Sequence, residues 1–152
     1  MSWLFGRRGP AVPDTPAPVA APEPQVPFHD VMEGHLRGLV GAAKQSGATL
    51  PVPASILLFS MLDNLNELLD HTLVAPPTVD EQIAIEFMIK DYIPSTVNAF
   101  LASRAERATK EELLLSQLRL LDGRVHSMVT AVYAHDNAQL EINGRFLREK
   151  FG

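Results

Sequence analysis

The chain contains no cysteine in its 152 residues. Disulfide bonds, thiol catalysis and thiolate metal sites are therefore excluded by composition alone. The absence is typical of a protein that stays in a reducing compartment.

Long hydrophobic runs are also missing. No apolar stretch approaches the roughly 18 residues that a membrane-spanning helix needs. The opening residues from Met1 to Arg8 do not have the order of a signal peptide, because the arginines follow the short apolar part instead of preceding it. We therefore expect a cytoplasmic protein.

The sequence has no excess of basic residues. Lysine and arginine total 13 against 18 aspartates and glutamates, which gives a formal net charge of -5. Nucleic-acid binding depends on a concentrated basic surface that neutralises phosphates. We expect no nucleic acid among the partners.

Proline is unevenly placed. Of the 12 prolines, seven lie between Pro10 and Pro27, in a stretch of little but proline, alanine and valine. Such a segment buries too little apolar surface to offset its ordering entropy, and its prolines favour extended polyproline II. We predict a disordered Pro/Ala-rich arm over residues 1–27, followed by a helical domain over residues 28–152.

The arm carries Trp3, Leu4 and Phe5 next to two arginines. Exposed aromatic side chains beside arginine are suited to bind a groove on a partner protein, or to make a peripheral contact with the inner face of an anionic membrane. The alternative is a frayed terminus with no role.

By contrast, no proline interrupts residues 109–151, and this stretch is predicted to form one long helix. About 43 residues at 1.5 Å each span roughly 65 Å, which is more than a compact domain of this size needs. A seam with helical period must be buried against other helices. Its apolar residues recur at alternating steps of four and three: Leu114, Leu118, Leu121, Val125, Met128 and Val132.

The polar residues His135 and Gln139 interrupt this seam. One hypothesis is a buried polar layer that fixes the register of the helices or the choice of partner. The other, which we favour, is that the core ends near Tyr133 and that the rest of the helix projects. The second hypothesis assigns partner binding to Ile142, Phe146, Leu147 and Phe151.

Three helical segments are predicted before the long helix: from Phe28 to Ala43, from about Ala54 to Leu73, and from Asp80 to about Ser103. Glycines at positions 34 and 38 weaken the first helix and would let it lie close against a neighbour. Helices with apolar stripes of this kind are expected to pack as an antiparallel bundle. The fold class is therefore all-α, an antiparallel three- to four-helix bundle with a long C-terminal helix.

Two helix starts carry the pattern of a capping box, Thr78–Glu81 and Thr109–Glu112. Inside the third segment, Pro94 removes a backbone donor and predicts a kink near residues 90–93. This segment is apolar along two stripes, which would place it in the middle of the bundle. The first stripe is Ile83, Phe87, Pro94, Val97 and Leu101, and the second is Ile85, Ile89, Thr96 and Phe100.

No motif for catalysis, a cofactor or a metal stands out. The sequence has no glycine-rich phosphate loop and no nucleophile elbow, and no pair of histidines has the spacing that places two ligands on one helical face. We expect no catalytic residues, no cofactor and no metal site.

One segment resembles a known family. Residues 87–100, which include Tyr92, Pro94, Thr96 and Phe100, are similar to the aromatic-Leu-Pro-x-Thr segment of the XpaC family, and residues 140–147 occupy the place of that family's terminal helix. The family is named for hydrolysis of a halogenated indolyl phosphate and is grouped with toxic-anion-resistance proteins. The resemblance covers about 65 residues. It implies a helical accessory protein in envelope or oxyanion stress, and it assigns no catalytic residue.

These observations lead to three hypotheses about function. The first is a non-enzymatic interaction or scaffold protein that binds a protein partner or forms a homo-oligomer. The second is a phosphate-ester hydrolase of the XpaC type, and the third is a structural or virion-associated protein that oligomerises through its long helix.

Overall fold

The computed structural model describes residues 26–152, which contain helices and no strand. The predicted arm falls outside the described residues, apart from Val26 and Pro27. The elements are α1 (Phe28–Ser46), α2 (Val52–His71), α3 (Val79–Phe87), a π-helical turn (Met88–Tyr92), α4 (Ile93–Ala102) and α5 (Arg107–Phe151).

The helices form an up-down-up-down bundle of four rods, in which α3, the π turn and α4 make a single rod. The start of α1 meets the end of α2, where His29 Nε2 lies 3.5 Å from an Asp70 carboxylate oxygen. The end of α2 in turn meets α5 well along its length, at Tyr133. Contacts of α2 with α5, of α5 with α4, and of α1 with the π turn close the ring of rods. The predicted all-α antiparallel bundle with a long C-terminal helix is confirmed.

The core is built mainly on α2, because apolar side chains occupy several of its faces. Seven of its residues are buried: Ala54, Leu58, Met61, Leu62, Leu65, Leu68 and Leu69. They meet Met32, Leu36 and Ala43 of α1 on one side and the α5 seam on the other. The seam is buried at Leu114, Leu118, Val125 and Met128, as its spacing predicted.

The π turn lies where Pro94 predicted a kink in the third rod. In this turn the Ile93 N–H donates to the carbonyl of Met88, five residues back. A π turn inserts one residue without breaking the rod, so core positions can follow one another at steps of four. The core line runs through Ile85, Ile89, Ile93 and Val97.

The expectation that this rod would be buried on two sides is therefore wrong. Ile83 and Phe87 are each 47% exposed, and Leu101 is also exposed. Both predicted stripes assume one uniform helical period. The extra residue of the π turn shifts this period, so that Ile85 and Ile89 of the second stripe lie on the same buried face as Val97 of the first.

Two local predictions at glycines and caps also need correction. An added Cβ at Gly34 or Gly38 would meet no atom within 4 Å, so these glycines do not allow a close helix approach within this chain. The capping box at Thr109 does not form, because α5 begins two residues earlier at Arg107, without a side-chain cap. The box at Thr78 is confirmed, with the Glu81 N–H donating to Thr78 Oγ1 at 3.2 Å.

Replacing a fully buried leucine of α2 tests this core. We expect Leu65→Ala to lower the free energy of unfolding by about 2–5 kcal/mol, since Leu65 is 0% exposed and its removal leaves a cavity. Leu120→Ala is the matched control, because Leu120 is 74% exposed and should change the stability by less than about 0.5 kcal/mol. Urea unfolding followed by circular dichroism measures both, and equal effects would contradict the proposed core.

Candidate functional site

Helix α5 continues well beyond the bundle. Its last half-buried side chains toward the core are Val132 and Asp136, and from residue 137 onward every side chain is exposed. His135 and Gln139 are exposed, which rules out a buried polar layer at these positions within the described residues. The hypothesis that the core ends near Tyr133 is the one that the structure bears out. We call residues 137–151 the tail.

The tail carries the apolar residues that the sequence assigned to partner binding. Ile142 is 57% exposed, Phe146 54%, Leu147 44% and Phe151 75%. Leu140, which is not among the predicted partner-binding residues, is 68% exposed. Large apolar side chains grouped on one exposed segment are typical of an interaction surface.

One group of tail residues continues the side of α5 that α2 covers. The last residue of α2, His71, places its ring 5.6 Å from the Tyr133 ring and its Nε2 against the Asp136 carboxylate. Steps of three and four residues from these positions stay on the same face of a helix. We call the residues reached in this way the α2-side stripe: Leu140, Gly144, Leu147 and Phe151.

A second group continues the side of α5 that faces α3. Arg124, Met128 and Ala131 line a shallow groove together with residues from the start of α3. Steps of three and four from them lead to Ile142 and Phe146, which we call the α3-side pair. The tail thus extends both covered sides of α5 past the point where their covers end.

The connection between α2 and α3 adds apolar surface at the base of the tail. Leu73 is 64% exposed and Val74 is 83% exposed, directly after the end of α2. The helix predicted to run to about Leu73 ends at His71, so both residues lie in the connection. Their position became evident only from the contact between His71 and α5.

Three notable residues of the segment 87–100 lie at the π turn or one turn after it. Tyr92 stacks on Phe87 with ring centroids 5.9 Å apart. The Thr96 hydroxyl donates to the Tyr92 carbonyl at 2.8 Å, two residues after Pro94, which has no N–H to donate. Phe100 is buried further along, under Lys110 of α5. These contacts are structural. The arm residues Trp3, Leu4 and Phe5 lie outside the described residues.

Three side chains that could bind a metal lie together at the start of α1, where the sequence pattern predicted no metal site. Ligand atoms of His29, Asp30 and Glu33 lie within 4.8 Å of one another. Both ring nitrogens of His29 are already engaged, Nδ1 with Asp30 at 3.0 Å and Nε2 with Asp70 at 3.5 Å. The ring therefore has no nitrogen to offer a metal without breaking a contact, and the arrangement is that of a link between α1 and α2.

This link changes the protonation of His29. The hydrogen bond with the Asp30 carboxylate raises the pKa of His29 above its ordinary value of 6.5, and desolvation opposes this rise. The Asp70 carboxylate, facing the ring from α2, raises the pKa further. The protonated form thus favours the pairing of the two helices.

Comparison with known proteins gave no match to any protein-family model, to any curated protein or to any solved structure. Within residues 26–152, no helix is both long enough and apolar enough to cross a lipid bilayer.

The His29 link predicts a pH dependence of stability. Because the pKa of His29 is raised in the folded state, its contribution is fully present below about pH 6.5 and is lost as the pH rises through the folded-state pKa. We expect His29→Asn to flatten the decrease in the urea midpoint between pH 6 and pH 8. Asp70→Asn removes the contact from α2 and should flatten this decrease in the urea midpoint in part. An unchanged pH profile in both variants would contradict the link.

Removing the tail tests whether it belongs to the core. A chain that ends at Ala138 should keep its melting temperature within about 4 °C of the intact chain, the change that ~1 kcal/mol produces in a domain of this size. The physical reason is that every deleted side chain is exposed. Calorimetry at low protein concentration measures this, and a loss of ten degrees or more would show that the tail packs on the bundle.

Proposed function

We propose that the chain is a non-enzymatic helical interaction protein that binds a protein partner through the tail of α5. The observation that carries this proposal is the exposure of Leu140, Phe146 and Phe151 on a helix that extends past its own bundle. Aromatic and large aliphatic side chains of this kind act as anchors when they enter a partner's groove or pack on a partner helix.

The chemistry of the tail favours binding over catalysis. The tail is a single helix, and a catalytic site needs groups from several directions held around a reacting atom. His126 hydrogen-bonds with the backbone carbonyl of Asp122 at 2.9 Å, and His135 lies on the exposed side of α5. Neither histidine lines the groove between α3 and α5.

The XpaC resemblance remains a prediction, and with it the phosphate-ester hydrolase as the alternative function and a role in envelope or toxic-anion stress. Localisation in the cytoplasm and contact of the arm with a membrane also stay predictions. Turnover of a chromogenic phosphate ester that is abolished by changing His126 or His135 would favour the hydrolase over the interaction protein.

Site-specific photo-crosslinking in the source cells tests the proposal directly. We expect a photoreactive phenylalanine analogue at Phe146 or Phe151 to crosslink to protein, because both side chains are exposed anchors on the tail. Phe87 is the matched control, since it is an aromatic residue of similar exposure on the body of the bundle. Crosslinks that are absent from the tail positions, or equally strong at Phe87, would contradict the proposal.

A further inference from the structure

The α2-side stripe needs a cover that continues where α2 stops. On the bundle, α2 occupies this face of α5 as far as Tyr133 and Asp136. Beyond that point, Leu140, Leu147 and Phe151 are exposed, and no described helix covers them. A helix laid along the tail would extend the line of α2 and bury the stripe.

We propose that this helix is the tail of a second copy of the chain, running antiparallel. The inference rests on the proposed function and deepens it by naming the partner of the α2-side stripe. Its first support is that the stripe is self-complementary. The intervals between its residues are four, three and four, which read the same in both directions. An antiparallel pair therefore places Leu140 of each copy opposite Phe151 of the other. It likewise places Gly144 of each copy opposite Leu147 of the other.

The charges beside the stripe fit the antiparallel direction. Glu141 and Arg148 lie on the same flank of the stripe, since seven residues are close to two helical turns. A twofold axis between antiparallel helices brings equal flanks together, so Glu141 faces Arg148 of the second copy on both sides of the axis. Parallel helices would instead bring opposite flanks together and place Glu141 near Asp136 of the second copy. Like charges repel there.

The shape of the bundle also excludes parallel pairing through this stripe. In a parallel dimer, the two α5 helices would face each other along the side that α2 covers. The α2 helices of both copies would then have to occupy the same space between them. In the antiparallel dimer, each tail ends opposite Leu140 of the other copy, short of the contact between His71 and Asp136. Its last residue then lies near the end of α2, after which Leu73 and Val74 are exposed.

Gly144 supports close packing at this point. An added Cβ at Gly144 would meet nothing within 4 Å in the chain itself, so the fold of one copy does not require glycine there. Between two helices, a residue without a side chain lets Leu147 of the second copy approach the backbone. Because the overlap runs only from Leu140 to Phe151, we expect a dimer with micromolar affinity.

Light-scattering mass and sedimentation of the intact chain test the dimer. The mass should rise from 16.7 kDa toward twice that value as the concentration increases through the micromolar range. Leu147→Asp should weaken the dimer at least tenfold. Ile142→Asp is the matched control, because Ile142 is also an exposed aliphatic residue of the tail but belongs to the α3-side pair, and the variant should leave the affinity within about twofold. A monomer at every concentration, or equal effects of the two variants, would overturn the proposal.

A charge exchange tests the pairing of residues. Glu141→Arg and Arg148→Glu should each weaken self-association, because each places like charges in both contacts across the axis. Mixing the two single variants should restore association, since every contact in the mixed dimer again joins opposite charges. Failure of the mixture to associate better than either variant alone would overturn the antiparallel arrangement.

Small-angle scattering of the dimer tests the direction independently. Two α5 helices of 45 residues, overlapping over this part of the tail, give a particle roughly 115 Å long with a bundle at each end. A parallel dimer would be only about 70 Å long, and that result would overturn the proposal.

The two proposals can fail separately. Crosslinks from the tail to a different protein, together with a purified chain that remains monomeric, would support the interaction function and refute the second copy as partner. A tail that crosslinks to nothing refutes the interaction function itself.

Discussion

The difference in length between α2 and α5 is the constraint on which the rest of the structure depends. Helix α2 has 20 residues and is buried over most of its length, and it thereby sets the height of the bundle. Helix α5 has 45 residues and runs in the same direction. Since α1 and the third rod are also short, no described element is long enough to cover the last third of α5. The exposed tail follows directly from this mismatch.

The π turn adds one residue to the third rod and thereby changes which residues of this rod face the core. An α-helix gains about 100° per residue, so core positions at repeated steps of four drift around its axis. Ile85, Ile89 and Ile93 are separated by such steps and are nevertheless all buried. The extra residue in the π turn absorbs the drift, and Pro94 fits directly after it because a proline cannot supply the next amide hydrogen bond.

Much of the bundle could be predicted from the sequence because its elements obey local rules. The α5 seam, the capping box at Thr78 and the position of the helix irregularity before Pro94 all follow from spacing and from single-residue chemistry. The burial pattern of the third rod could not be predicted, since the position of an extra residue in a helix depends on tertiary packing. The Thr109 cap failed for a related reason: a helix start is only marginally favoured by one cap, and extension by two residues to Arg107 competes with it.

The candidate site was predicted in part. Ile142, Phe146, Leu147 and Phe151 are apolar residues beyond a polar gap, and their exposure matches the expectation that the core ends before them. Leu140 was not assigned, although it lies on the same stripe as Leu147 and Phe151. Only the contact of His71 with Tyr133 shows which side of α5 Leu140 extends. The division of the tail into an α2-side stripe and an α3-side pair is thus a tertiary property that no single helical pattern contains.

The tail is helical although its side chains do not pack on the bundle. An isolated helix of about 15 residues is marginal in water, because nucleation is costly and each exposed residue adds little. The tail avoids the cost of nucleation because α5 is already helical within the bundle. Beyond that, its described internal contacts include Lys150 above the rings of Phe146 and Phe151, at 5.5 and 5.6 Å. Such exposed contacts contribute roughly 0.5–1 kcal/mol each. They can limit fraying, but they leave Leu140 and Leu147 in water. A cover along the α2-side stripe would bury these leucines and hold the tail helical to its end, so binding and order of the tail are coupled.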